Sequence, residues 1–210
     1  MLLFKPGFFR GKDNQTIPPL SWADPSPKGK IANELFSYLP LNESIPILFI
    51  CIGTDRSTGD SLGPLVGTLL QDKLLPENFY VFGTLEDPIH AVNLEEKLEQ
   101  IYEQFEQSFI VGIDACLGQT KSIGTVQIRK GSLKPGAGVN KTLPPVGHIH
   151  MTGVVNISGL MEFFVLQNTR LHLVMNLAKT ISDGIYKAGL LYRFGQNNEN
   201  DQLLINEDML

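Results

Sequence analysis

Residues 45–67 read IPILFICIGTDRSTGDSLGPLVG. The apolar run 47–52 is rich in β-forming side chains and too short for a globular helix, so it predicts a strand buried on both faces. A polar loop, 53–59, follows it. Asp60 and Ser61 then precede Leu62, Leu65, Val66, Leu69 and Leu70, whose spacing sets one apolar stripe on a helix. That helix is predicted to start near Gly59 or Asp60, to run to about Leu75, and to end at Pro76. In an open α/β sheet, ligands bind beyond the carboxyl ends of the strands, where loops of this kind converge.

On the amino-terminal side, five prolines within residues 1–28 argue against regular structure and predict an arm. Its aromatic residues, Phe4, Phe8, Phe9 and Trp22, predict that parts of it pack on the domain or on a second subunit, and a homodimer is compatible with this. A helix over 29–38 closes at Pro40. On the carboxyl-terminal side, FYVFGTL (79–85) predicts a second strand that delivers Glu86, Asp87 and His90 to its end. Residues 91–105 read as a surface helix, and 108–113 as a third apolar strand ending in Asp114. A turn at 118–122 leads to a fourth strand at 125–128. The glycine- and proline-rich stretch 131–148 is a long loop, of the length that usually carries function. A fifth strand spans 150–157. Residues 160–192 predict one or two helices broken near Asn168 and Thr169, and 196–210 a frayed polar tail. Strands alternating with helices predict a three-layer α/β/α sandwich with a mostly parallel sheet, a single domain over 29–195.

The bulk numbers narrow the classes. A chain of 210 residues with 42% apolar and 19% charged residues is ordinary for a globular domain. A net charge of −5 gives no basic footprint, which argues against nucleic acid as the main partner. No apolar run approaches the length of about 18 residues that a membrane span needs, and no signal-peptide pattern stands at the start, so the expectation is a cytoplasmic protein. The two cysteines, Cys51 and Cys116, fall in predicted core strands and read most simply as small buried side chains. A disulfide between them is the alternative.

The chemistry points to carboxylates. Asp60 and Asp114 follow two strands whose ends share one edge of a parallel sheet, so they can face one cleft. Two close carboxylates cannot both ionise easily, and one is held protonated. Such a pair can activate water for peptide hydrolysis. With a histidine it can instead hold a divalent metal, and His148 and His150, flanking the start of the fifth strand, are the candidates. Two structural readings compete: Asp60 as a helix cap, and Asp114 as an acceptor for backbone N–H groups in the next turn. The loop residues Gly53, Thr54, Asp55 and Arg56 and the glycines Gly136 and Gly138 of the long loop would line a substrate groove, since glycine allows close backbone approach. His90 and His172 rank below the other histidines. An anion site at Arg56 and a serine nucleophile at Ser57 or Ser61 lack a P-loop or nucleophile-elbow sequence.

Five stretches in order, CIGTDRSTGDSLGPLVG (51–67), EDPIHAVNLEEKL (86–98), GIDACLG (112–118), LKPGAGVNKTLPPVG (133–147) and GVVNISGLMEFFVLQNTRL (153–171), resemble the YyaC family of sporulation proteins. The resemblance covers residues 45–178. That family is in turn similar to the spore germination protease, which degrades small acid-soluble spore proteins: DSLGP resembles its DALGP, IDACL its IDAL, and TVQI its TIQI. The resemblance implies catalytic aspartates at Asp60 and Asp114. The wider fold group holds the hydrogenase maturation endopeptidases, where a first-loop carboxylate, an aspartate after the third strand and a later histidine bind the substrate's metal. Those positions would be Asp60, Asp114 and either His148 or His150. The resemblance therefore implies a sporulation-associated endopeptidase of that fold. A non-catalytic peptide- or metal-binding regulator on the same fold stays open beside it.

Overall fold

The computed structural model describes residues 19–136 and 143–207, from 196 onward as main chain alone. In chain order the elements are β1 (Leu20–Ser21), α1 (Pro27–Tyr38), β2 (Ile47–Cys51), a 3-10 turn (Gly59–Ser61), α2 (Leu62–Gln71), β3 (Phe79–Phe82) and α3 (Leu94–Gln104). They continue with β4 (Phe109–Gly118), a second 3-10 turn (Thr120–Ser122), β5 (Thr125–Lys130), β6 (Ile149–Ile157), α4 (Glu162–Gln167) and α5 (Leu171–Glu207).

The sheet has the order β1-β5-β6-β4-β2-β3. Strands β3, β2, β4 and β6 run parallel, and β5 and β1 close one side antiparallel. Every residue of β2 is buried, as a central strand requires. Its side chains alternate between two cores. Ile47, Phe49 and Cys51 join α1, α2 and α5 on one face, together with Val111, Ile113, Met151 and Val126. Leu48, Ile50 and Ile52 join Leu94, Leu98 and Ile101 of α3 on the other, with Leu133 and Val146 from the long loop. The result is a mixed α/β sandwich of three layers with a mostly parallel sheet.

Several elements differ from their sequence expectation. Strand β4 continues to Gly118 instead of stopping at 113, because β6 keeps pairing with it from Val111 to Gly118. Helix α2 ends at Gln71, where the Asp72 N–H turns back to the Leu70 carbonyl, short of the predicted Leu75. Helix α1 begins at Pro27, inside the predicted arm, since proline's missing N–H costs nothing in a first turn. Leu20 and Ser21, also assigned to the arm, form a short strand on the β5 edge. Residues 1–18 of that arm lie outside the described residues. The predicted break at 168–169 is present between α4 and α5, but α5 continues to Glu207 through the stretch expected to fray. No proline or glycine follows Gly195 to stop it.

Cys51 is buried on the α1/α2/α5 face, while Cys116 is half-buried and falls by alternation on the opposite face. Both thiols are free. The expectation that both are core side chains holds for Cys51 alone.

Candidate active site

All four parallel strands end on one edge of the sheet, and their following segments build the site there. The first is the predicted loop after β2. It is shaped by Gly53, at φ +142°, where a Cβ would lie 1.9 Å from the Asp60 carbonyl oxygen. The loop closes on itself through the Thr54 N–H, which donates to that carbonyl at 3.1 Å. Gly63 lets α2 start directly over the main chain of Ile52, 2.1 Å from where its Cβ would stand. Asp60 is thereby held within the 3-10 turn at the head of α2. Neither cap residue there, Thr58 or Ser61, makes a side-chain cap bond, and Asp60 is not in the cap position. The capping reading of Asp60 falls away.

Asp114 stands inside β4, not beyond it. The pairing of β2 with β4 stops at Cys51 opposite Ile113, so Asp114 is the first β4 residue free of β2, while Thr152 of β6 still pairs with it. It is only 9% exposed. Its carboxylate accepts the Ala115 N–H at 2.7 Å. Burial, and then the nearby charge of Asp60, push its pKa well above the ordinary value, and the Ala115 bond only partly offsets this. Burial also raises Asp60, against the pull of the Thr54 backbone and the charge of His90. The charge of Asp60 thus acts on Asp114, and the second proton comes off against the first charge.

His148 and His150 flank the start of β6 but do not stand at the level of Asp114. His148 lies at the other end of β4: its Nδ1 accepts the Ile110 N–H at 3.0 Å, and its ring stacks on Phe109 with centroids 5.3 Å apart. Four residues separate that level from Asp114, about 13 Å of strand. Burial lowers the pKa of His148. His150 pairs with Gly112, one alternation below Asp114, and its Nδ1–H donates to the Gly131 carbonyl at 2.8 Å. Among the described residues no group of three or more His, Cys, Asp or Glu is placed to hold a metal ion. The set Asp60, Asp114, His148 and His150 is spread too far along the sheet to fit one.

The histidine beside the pair is His90, which the sequence ranked low. The Gly53 N–H donates to the Ile89 carbonyl at 2.8 Å, which fastens the segment after β3 to the first loop. The His90 N–H donates to Asn93 Oδ1 at 2.8 Å, and its Nδ1 accepts the Val92 N–H at 3.3 Å. A neutral His90 therefore carries its proton on Nε2. Strand order is the missing signal: β2 lies between β3 and β4, so the segments after β3 and β4 flank the β2 loop.

The remaining expected residues sort as follows. Thr54 is half-buried and its Oγ1 accepts the Arg56 N–H at 3.3 Å, while Asp55 and Arg56 are exposed on the loop's outer side. Ser61 donates its hydroxyl to the Thr58 carbonyl at 2.7 Å. Ser57 is buried and its Oγ has no partner among the described residues. Gly136, at φ +85°, belongs to the long loop, and Gly138 lies outside the described residues. That loop is tied by paired bonds between Leu133 and Val146, which rest against Gly112 just below Asp114. On the far side, Leu166 and Thr169 at α4 close on Gly59. The outer side of this region leaves Leu160, Met161, Phe163 and Phe164 exposed.

The family described as Protein of unknown function (DUF1256) matches residues 21–184. The chain is 52% identical over 166 residues to the Uncharacterized protein YyaC of Bacillus subtilis (strain 168), a match that spans 79% of this chain and 80% of that protein. This is the likeness that the five sequence stretches carried. Among solved structures it is similar to the NiFe hydrogenase maturation protease HycI from Thermococcus kodakarensis KOD1, at 16% identity and a TM-score of 0.49, over 70% of this chain and 96% of that one.

Proposed function

This chain belongs to the DUF1256 family, and from that premise we propose that it is an endopeptidase in which Asp60 and Asp114 activate water. The observation that carries the reading is the interacting carboxyl pair at the carboxyl edge of the sheet, Asp114 buried and Asp60 half-buried, with Asp114 held towards its neutral form by burial and by the charge of Asp60. A shared proton makes one member an acid and the other a base at the same pH.

The roles follow from surroundings. Burial raises Asp60 too, but the Thr54 backbone bond and the charge of His90 partly offset this, whereas Asp114 is raised well above the ordinary value, so Asp60 ionises first and is the base. Asp114 is the acid. The Asp60 carboxylate takes a proton from water as the water oxygen bonds to the peptide carbonyl carbon. The neutral Asp114 donates to the carbonyl oxygen as it becomes tetrahedral. Collapse breaks the C–N bond, the amine leaves with the proton held by Asp60, and the product acid returns its proton to Asp114. The pair ends as it began, and water is the only co-reactant.

A polypeptide fits the surroundings better than a small molecule. The site lies between a glycine-shaped loop and the Leu133–Val146 loop, beside exposed apolar side chains of the α4 region. The resemblance to sporulation proteins makes small acid-soluble spore proteins the first substrates to try. Incubation of the purified chain with them, read by intact mass, is expected to yield discrete fragments. Asp60→Asn and Asp114→Asn are each expected to lower the rate by about 10²–10⁴-fold without unfolding the chain. Full activity in either variant would remove the pair from the mechanism.

A further inference from the structure

Beyond the acid pair, the sheet carries a second feature that the peptidase chemistry does not use. Asp114 pairs with Thr152, and Thr152 pairs with Gln127, so the three stand in one row from β4 to β5. In the row beside it Gly112 pairs with His150, and His150 with Arg129. Alternation puts all of these on the sheet face opposite α1, α2 and α5. The α3 core on that face contains no residue of β5 or β6. Gln127, Thr152 and His150 are accordingly half-buried and Arg129 is exposed.

Arg129 makes no salt bridge among the described residues. Its charge nonetheless reaches inward as far as Cys116 on β4. The Cys116 thiol is pushed up chiefly by burial, and the Thr152 hydroxyl and Arg129 both pull it back. Extended, the exposed Arg129 side chain is long enough to reach across β6 towards the row of Asp114. Gln127, two residues away on the same strand and face, adds a neutral amide donor. His150 adds none when neutral, because its Nδ1–H is committed to the Gly131 carbonyl.

We propose that Arg129 and Gln127 form a specificity subsite that receives an acidic side chain of the peptide bound at Asp60 and Asp114. A carboxylate suits the planar fork of an arginine and gains a second bond from the amide. Strands lie about 4.8 Å apart and rise about 3.3 Å per residue, which puts the Arg129 Cα about 12 Å from that of Asp114. With the side chain extended across β6, the acidic residue falls about two to three positions from the scissile bond of an extended substrate. The placement rests on the peptidase reading above, but the binding itself does not need turnover.

The test uses the full chain carrying Asp114→Asn and two blocked peptide libraries that differ only by Glu or Gln at each position in turn. Blocked ends exclude capture of a free terminal carboxylate. Retention of the Glu library is expected to exceed that of the Gln library by about three- to tenfold. Arg129→Gln should erase the preference, and Arg129→Glu should reverse it in favour of the Gln library. Equal retention of the two libraries, or a preference that survives Arg129→Gln, overturns the subsite. The unmutated chain, given denatured protein, should cut at sites with Asp or Glu about two to three residues away. Absence of any cutting alongside Arg129-dependent retention would sink the peptidase reading and leave the subsite standing.

Discussion

Asp114 shows how one residue trades stability for chemistry. Its carboxyl is buried on a strand, with one N–H donor and a second carboxyl as neighbours. A raised folded-state pKa means that the favourable contribution is complete only below the unfolded value of 3.8 and is lost as pH rises through the folded value. At neutral pH the ionisable group is therefore a burden. Asp114→Asn is expected to be more stable than the unmutated chain at pH 7–8, and the gap should close as the pH falls towards the ordinary carboxyl range. Thermal unfolding across pH reads this directly. An unchanged gap at every pH would mean that Asp114 ionises freely. The sequence already set Asp114 at the end of an apolar run. It did not reveal that the residue sits within the strand, because the end of β2 and the continuation of β6 are set by pairing partners.

At the scale of the element, the loop after β2 does most to place the site. Its two ends are brought together by Gly53, whose φ is open to glycine and whose missing side chain leaves room for the Asp60 carbonyl. Gly53→Ala would force a methyl group into that oxygen, so the loop must open and carry Asp60 with it. We expect a loss of at least about 2 kcal/mol of stability, together with loss of cleavage, measured by urea unfolding and by product mass. A variant that kept both would show that the closure is not needed. The helical stripe after the loop was legible because Leu62, Val66 and Leu70 recur on one face and all are fully buried. The helix's length was less so: the 3-10 turn at its head and its early end at Gln71 depend on what it packs against.

Across the whole molecule, Asp183 of α5 joins parts far apart in the chain. It pairs with Lys28 of α1 and with Lys73, just after α2, the latter at 2.7 Å. Its pKa is lowered: burial pushes it up, and the two lysines more than offset this. A lowered value contributes stability above the unfolded pKa, and that stability is lost as pH falls through the folded one. The groups are partly solvated, so Asp183→Asn should cost no more than about 1 kcal/mol at neutral pH, and nothing in strong acid. Urea midpoints at the two pH values decide it. An equal cost at both would mean that the side chain acts through packing. Among the described residues no helix is long and apolar enough to cross a membrane.

The sequence by itself determined the order of strands and helices from α1 onward, the full burial of β2, and the two carboxylates near the edge of the sheet. Apolar runs, helical spacing and proline positions are local, and each can be read within a short window. Tertiary structure alone decided which side chains meet. Strand order put His90, rather than His148 or His150, beside Asp60, and register put His148 four residues down β4 from Asp114. It also extended β4 past Asp114 and left Arg129 exposed on the face opposite α1, α2 and α5. Those outcomes depend on hydrogen bonds between strands distant in sequence, and no local pattern encodes which strands will pair.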